Sequence, residues 1–141
     1  MTEPILRRQP RSILESQFDL SRGDILVITY TDLLDEDRQI ACDIAIRYLN
    51  AFKRRFAVVM DMRMLSTLPA KQRAMYGAAR DAVRDNYKRH HALTVYVVGD
   101  RAQRGMLTAI GWISKAESSS GSVFAESLSD ALHLCRVALN P

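Results

Sequence analysis

The sequence predicts a single α/β domain. Its mixed, mostly parallel sheet should have about five strands and roughly four helices, in the order ββαβαβαβα. Three observations carry that reading. Phe56-Ala57-Val58-Val59-Met60 and Ala92-Leu93-Thr94-Val95-Tyr96-Val97-Val98 are runs without polar–apolar alternation, as in strands covered on both faces. Around them, apolar residues recur every three or four positions, the mark of helices with one buried face. The chain has 141 residues, 48% of them hydrophobic, which suits one domain with its own core.

In chain order, residues 1–11 read as a flexible basic arm carrying Arg7, Arg8 and Arg11, and residues 12–141 as the domain. Ser12 to Leu20 alternates weakly and is expected to be the first strand of a hairpin. Ser21-Arg22-Gly23-Asp24 is the turn, with Gly23 free to take positive φ. Ile25-Leu26-Val27-Ile28-Thr29-Tyr30 is the second strand, rich in β-branched residues. The first helix starts near Asp35, where acids suit the helix dipole, and buries Ile40, Ala41, Ile44, Ala45, Tyr48, Leu49 and Phe52. Lys53, Arg54 and Arg55 follow its negative end.

The stretch from Phe56 to Lys88 organises the chain: a buried strand, a short loop and a long helix. Asp61 places a charge at the strand's C-terminal end, where open α/β sheets put ligands and partners. Pro69 fits the first helical turn, and Ser66 or Thr67 supplies oxygens near it. The expected apolar stripe of this helix is Ala74, Met75, Ala78, Ala79, Ala82 and Val83. Arg73, Arg80 and Arg84 then lie on the exposed face, with Tyr76 at its edge.

His90-His91 closes the helix. Adjacent helical residues point about 100° apart, so the pair chelates poorly and no metal site is expected. After the next strand, Asp100 caps a helix starting at Arg101. Arg101 and Arg104 in its first turn make a small positive spot open to an anion. Ser118-Ser119-Ser120-Gly121-Ser122 reads as a polar connector and Val123-Phe124-Ala125 as a short last strand. Ser127 then caps a final helix, with Asp130 three residues on.

Net charge is +4 with a pI near 9.3, which permits acidic partners. Basic residues alternate with acids and no aromatic–basic ladder appears, so nucleic acid is not an expected partner. No apolar run approaches the ~18 residues of a spanning helix, so no membrane is expected either. Cys42 and Cys135 fall at apolar helical positions and read as buried, inert thiols in a reducing, cytoplasmic setting.

The order of elements, with VVMDM, LPAKQRAM, RGMLTAIGWI and SVFAESLSDALHL, resembles the STAS domain of anti-sigma-factor antagonists from about Ser12 to Leu139. In those antagonists a strand-end acid precedes a helix start bearing a serine that a partner kinase phosphorylates. Asp61 matches the acid. Pro69, Ala70 and Lys71 occupy the phosphoacceptor region, so the hydroxyl is missing there, and Ser66 and Thr67 are out of register. The resemblance implies a non-enzymatic regulatory module that binds a protein partner, without the usual phosphoserine switch. A homodimer is also compatible with it.

Asp61, Ser66, Thr67, Arg73, Tyr76, Arg80 and Arg84 would form the contact surface. An alternative is a small-ligand or lipid carrier, with Met60, Met62, Met64 and Met106 lining an apolar pocket. The sequence has no phosphate loop, nucleophile elbow or metal-ligand cluster, so neither catalysis nor a cofactor is expected.

Overall fold

β3, Phe56–Met64, lies in the middle of a five-stranded sheet of order β1-β2-β3-β4-β5 in the computed structural model, which describes residues 5–100 and 122–140. Its neighbours are β2, Ile25–Thr31, and β4, His91–Val97. Both run parallel to it, with Val27 and Val95 each opposite Val59. β5, Ser122–Ala125, continues the parallel set. Only β1, Phe18–Arg22, is antiparallel, and Gly23 at φ 70° turns the chain from it into β2. The two non-alternating runs are thus adjacent and interior, as expected. Neither Phe56–Val59 nor Val95–Val98 is exposed.

Four helices lie among the described residues. α2, Asp35–Ala51, and α3, Ala70–His90, cover one sheet face. There Leu26, Ile28, Phe56, Val58, Met62 and Tyr96 meet Cys42, Ala45, Leu49, Tyr76 and Val83. α4, Leu128–Leu139, covers the other face, setting Ala131, Leu132 and Cys135 against Ala57, Val59, Val95 and Val97. The two cysteines are therefore free thiols on opposite sides of the sheet, and burial pushes each thiol up to about 11. Ser127 caps α4 as predicted, its side chain accepting from Asp130 N at 3.1 Å. Among the described residues, no helix is long and apolar enough to cross a membrane.

Two expectations change. The stretch after residue 11 opens as a helix, not a strand: α1 spans Arg11–Ser16. Pro10 presets its start, and Leu14 is fully buried against Leu33, Ala41 and Ile44. One buried leucine decides the conformation where the alternation is weak. The helix expected from Arg101, with Arg101, Arg104 and Met106, lies outside the described residues.

The second correction concerns α3. Its buried side chains are Gln72, Tyr76 and Val83, whereas Ala74, Ala78 and Ala82 are exposed. The helix is rotated about one position from the alanine stripe. Aromatic area explains the choice, since a buried tyrosine removes several times the apolar surface of an alanine. Tyr76 packs 5.5 Å from Tyr30, and Tyr87 stands edge-on to Phe56 at 5.6 Å.

Candidate functional site

The C-terminal ends of β2 and β3 lead into two loops that hold each other. After β2, Asp32 places Oδ1 where it accepts Ser66 N at 2.9 Å and Thr67 N at 3.3 Å. After β3, Leu65 N closes a turn onto Met62 O at 3.0 Å. Leu65 and Leu68 are buried and pin the 65–69 loop from below. Ser66, Thr67 and Pro69 remain exposed above them. One carboxylate thus satisfies two backbone donors and fixes the loop's shape.

Under this loop lies a buried polar network. Arg38, 1% exposed, donates from Nε to Gln72 Oε1 at 2.9 Å, from Nη1 to the Tyr76 hydroxyl at 3.0 Å, and from Nη2 to Thr31 O. Gln72 Nε2 in turn donates to Leu33 O at 2.8 Å and Asp35 Oδ1 at 2.9 Å. The guanidinium therefore binds neutral acceptors directly, and Gln72 links it to a carboxylate. Burial raises the Tyr76 phenol above its ordinary value, although Arg38 works the other way, so the hydroxyl stays protonated. A cavity of about 10 Å³, room for one water, lies between Phe18, Ile28, Tyr30, Arg38 and Tyr76.

A second buried acid, Asp37, ties the N-terminal segment to α2. Its carboxylate accepts Arg8 Nε at 2.7 Å and Gln9 N at 2.7 Å. The chain before α1 is thus attached at residues 8 and 9, within the stretch read as an arm.

The predicted contact residues divide into three groups. Ser66, Thr67 and Arg73 are exposed around the loop and the start of α3, with Arg73 Nη1 donating to Leu68 O at 3.0 Å. Asp61 and Tyr76 are buried and do not form an outer surface. Arg63 engages both Asp61 oxygens, at 3.0 and 2.8 Å. Burial raises the Asp61 carboxyl, but the Arg63 hydrogen bonds outweigh it and hold the group below its ordinary value. Arg63 is what faces solvent there, beside Met64, which is 66% exposed.

Arg80 is half-buried, and Arg84 is exposed and paired with Asp81, both well along α3 from the loop. Of the methionines invoked for a pocket, Met62 is in the core, Met60 half-buried and Met64 outside, and none of these lines the Tyr30–Tyr76 cavity.

Sequence reading missed Arg38, Gln72, Asp32 and Asp37. A signal existed for two of them. Arg38 stands three, four and seven positions before Ala41, Cys42 and Ala45, on the buried face of α2, and Gln72 stands four before Tyr76. Polar residues on an apolar stripe imply a buried network. The aspartates act through tertiary contacts across 28 to 35 residues, which spacing cannot reveal.

These features define an α/β domain with a SpoIIAA-like, STAS-like fold. The chain is similar to an uncharacterised protein of the DUF3478 family with a SpoIIAA-like fold from Shewanella loihica PV-4. The TM-score is 0.54 at 14% identity, covering 84% of this chain and 90% of that one. No family model and no curated protein matches the sequence.

Proposed function

We propose that this domain is a non-enzymatic protein-interaction module whose contact surface is the end of β3 and the loop after it, residues 63–69, with the first turns of α3. The observation that carries this reading is the exposed loop clamped in shape by Asp32. A preformed surface loses little conformational freedom on binding. Exposed Met64 supplies an adaptable apolar contact, and Arg63 and Arg73 supply charged donors around it. The fitting partner is a protein with an apolar pocket rimmed by carboxylates.

Control by phosphoserine at the helix start is not part of this proposal. Pro69 caps α3 with no side-chain hydrogen bond, and Ala70 and Lys71 follow. A photo-crosslinking residue at position 64 tests the reading. It should capture one discrete partner in the native cell, and Arg73→Glu should abolish that product. Equal capture from position 20, on the edge strand β1, would refute it.

A further inference from the structure

The opposite pole of the molecule gathers cations. α2 and α3 both end there, and Asn86 Nδ2 ties the two ends by donating to Leu49 O at 2.7 Å and Phe52 O at 3.0 Å. Phe56 pairs with His91 in parallel register, so Arg55 and His90 enter the sheet side by side. Arg55 Nη2 also reaches Ala138 O at 3.5 Å, which brings in the last turn of α4. Lys53, Arg54, Arg55, Lys88, Arg89 and Arg136 are therefore neighbours at one end, and all are exposed.

Few acids oppose them. Asp24 accepts Arg54 Nε at 2.7 Å, and Asp85 lies one turn before Arg89. Among the described residues, Lys53, Lys88, Arg89 and Arg136 form no ion pair. Cations at a helix C-terminus suit the dipole, but that effect fades within the last turn. Arg54 and Arg55 lie beyond the end of α2.

An apolar feature adjoins this charge. Val137 is 56% and Leu134 37% exposed, one turn apart on the outer side of α4 and next to Arg136. Cations with protruding aliphatic side chains suit an anionic headgroup layer over hydrocarbon. A single-stranded nucleic acid would call for free aromatic faces. The rings here are already engaged: Phe52 stacks on Phe56 and Tyr87 on His91, each pair at 4.4 Å.

We propose that this pole docks peripherally on an anionic membrane surface. Peripheral contact of this kind requires no membrane-spanning run. The orientation leaves the 63–69 loop pointing away from the lipid. The proposal stands independently of the proposed protein partner.

Co-sedimentation of the full chain with vesicles tests it. Binding should occur with phosphatidylcholine–phosphatidylserine vesicles, not with phosphatidylcholine alone, and should vanish at high salt. Lys53→Glu with Lys88→Glu should lower the partition coefficient by at least about tenfold. Val137→Ser should lower it severalfold, and Arg73→Glu at the far pole should leave it unchanged. Circular dichroism checks each fold. If the double glutamate variant fails to fold, Lys53→Gln with Lys88→Gln replaces it, and the same direction is expected. No binding to phosphatidylserine vesicles, or undiminished binding by the folded double variant, overturns the proposal. Binding to single-stranded RNA without vesicle binding also overturns it and assigns the pole to nucleic acid.

Discussion

Arg38 of α2 donates to the Tyr76 hydroxyl of α3 at 3.0 Å, inside the core and beneath the exposed loop. The contact joins the two helices on one sheet face and orients Gln72 toward Asp35. Replacing Arg38 by methionine keeps most of the volume but removes the guanidinium donors to Gln72 Oε1, Thr31 O and the Tyr76 hydroxyl. Urea unfolding should show a loss of at least ~2 kcal/mol, because each buried acceptor without a partner costs about 1–3 kcal/mol. Tyr76→Phe takes one partner from the guanidinium and one from the Tyr30 hydroxyl, and should cost less than Arg38→Met. The reverse order would mean that the network relaxes around the lost arginine.

The corrected face of α3 makes a separate prediction. A Cβ added at Gly77 meets nothing within 4 Å, and the residue lies inside a 21-residue helix. Gly77→Ala should therefore stabilise the domain by about 0.5–1 kcal/mol, through reduced freedom of the unfolded chain. Ala78→Lys should change stability by less than ~0.5 kcal/mol, because the site is exposed. The alanine-stripe reading predicts severe loss for that substitution, so thermal melts distinguish the two faces.

That rotation shows where the sequence was legible. β3 and β4 were readable because Phe56–Val59 and Val95–Val98 are buried on both sides, and such burial leaves no polar alternation. Ser127 was readable because a cap is a local event spanning three residues. The face of α3 was less so. Ala78 and Tyr76 both follow helical spacing, and packing against Tyr30 selects between them. The site depended still more on distant contacts. Asp32 acts on Ser66 and Thr67 across more than thirty residues, and its role exists only once β2 and β3 lie side by side. The basic triplet at Lys53 was visible, but its union with Lys88 and Arg89 required the Asn86 tie between helix ends.

His91 provides a pH prediction. Burial, with Arg55 adding to it, lowers the imidazole to about 4. Nε2 bonds the Thr94 hydroxyl at 2.7 Å, while Nδ1 is buried without a partner. The unfolded chain takes up this proton near pH 6.5, whereas the folded protein resists it until about 4. The stabilising contribution is complete above pH 6.5 and is lost as pH falls toward 4. The loss should be on the order of 3 kcal/mol. Denaturant midpoints across that window check it, and His91→Phe should flatten the profile there. An unchanged profile would show that other groups govern the acid limb.

Asp37 anchors the segment before α1. Asp37→Ala should free Gln9 N and the Arg8 side chain, raising hydrogen exchange and protease sensitivity over residues 7–10. The stability cost should be about 1–3 kcal/mol, the range for losing hydrogen bonds to a buried carboxylate. Arg8→Ala alone should do less, since Gln9 N still reaches Oδ2.

The last prediction separates the loop's shape from its hydroxyls. Ser66 and Thr67 take part in the clamp through their backbone N–H groups, both donating to Asp32 Oδ1. If binding depends on the shape of the 63–69 loop, Asp32→Ala should weaken the complex captured through position 64 by about tenfold or more. Hydrogen exchange at residues 66 and 67 should rise in the same variant, because the two donors lose their acceptor. Ser66→Ala and Thr67→Ala remove the hydroxyls but keep both backbone donors. They should therefore leave affinity and exchange close to the parent, and peptide mass spectrometry of the native protein should find no stoichiometric phosphate on either residue. A fold control by circular dichroism applies to all three variants. Lost binding in Ser66→Ala or Thr67→Ala, with phosphate present on the parent residue, would place a displaced phosphoacceptor in the loop and replace the shape argument with a charge switch.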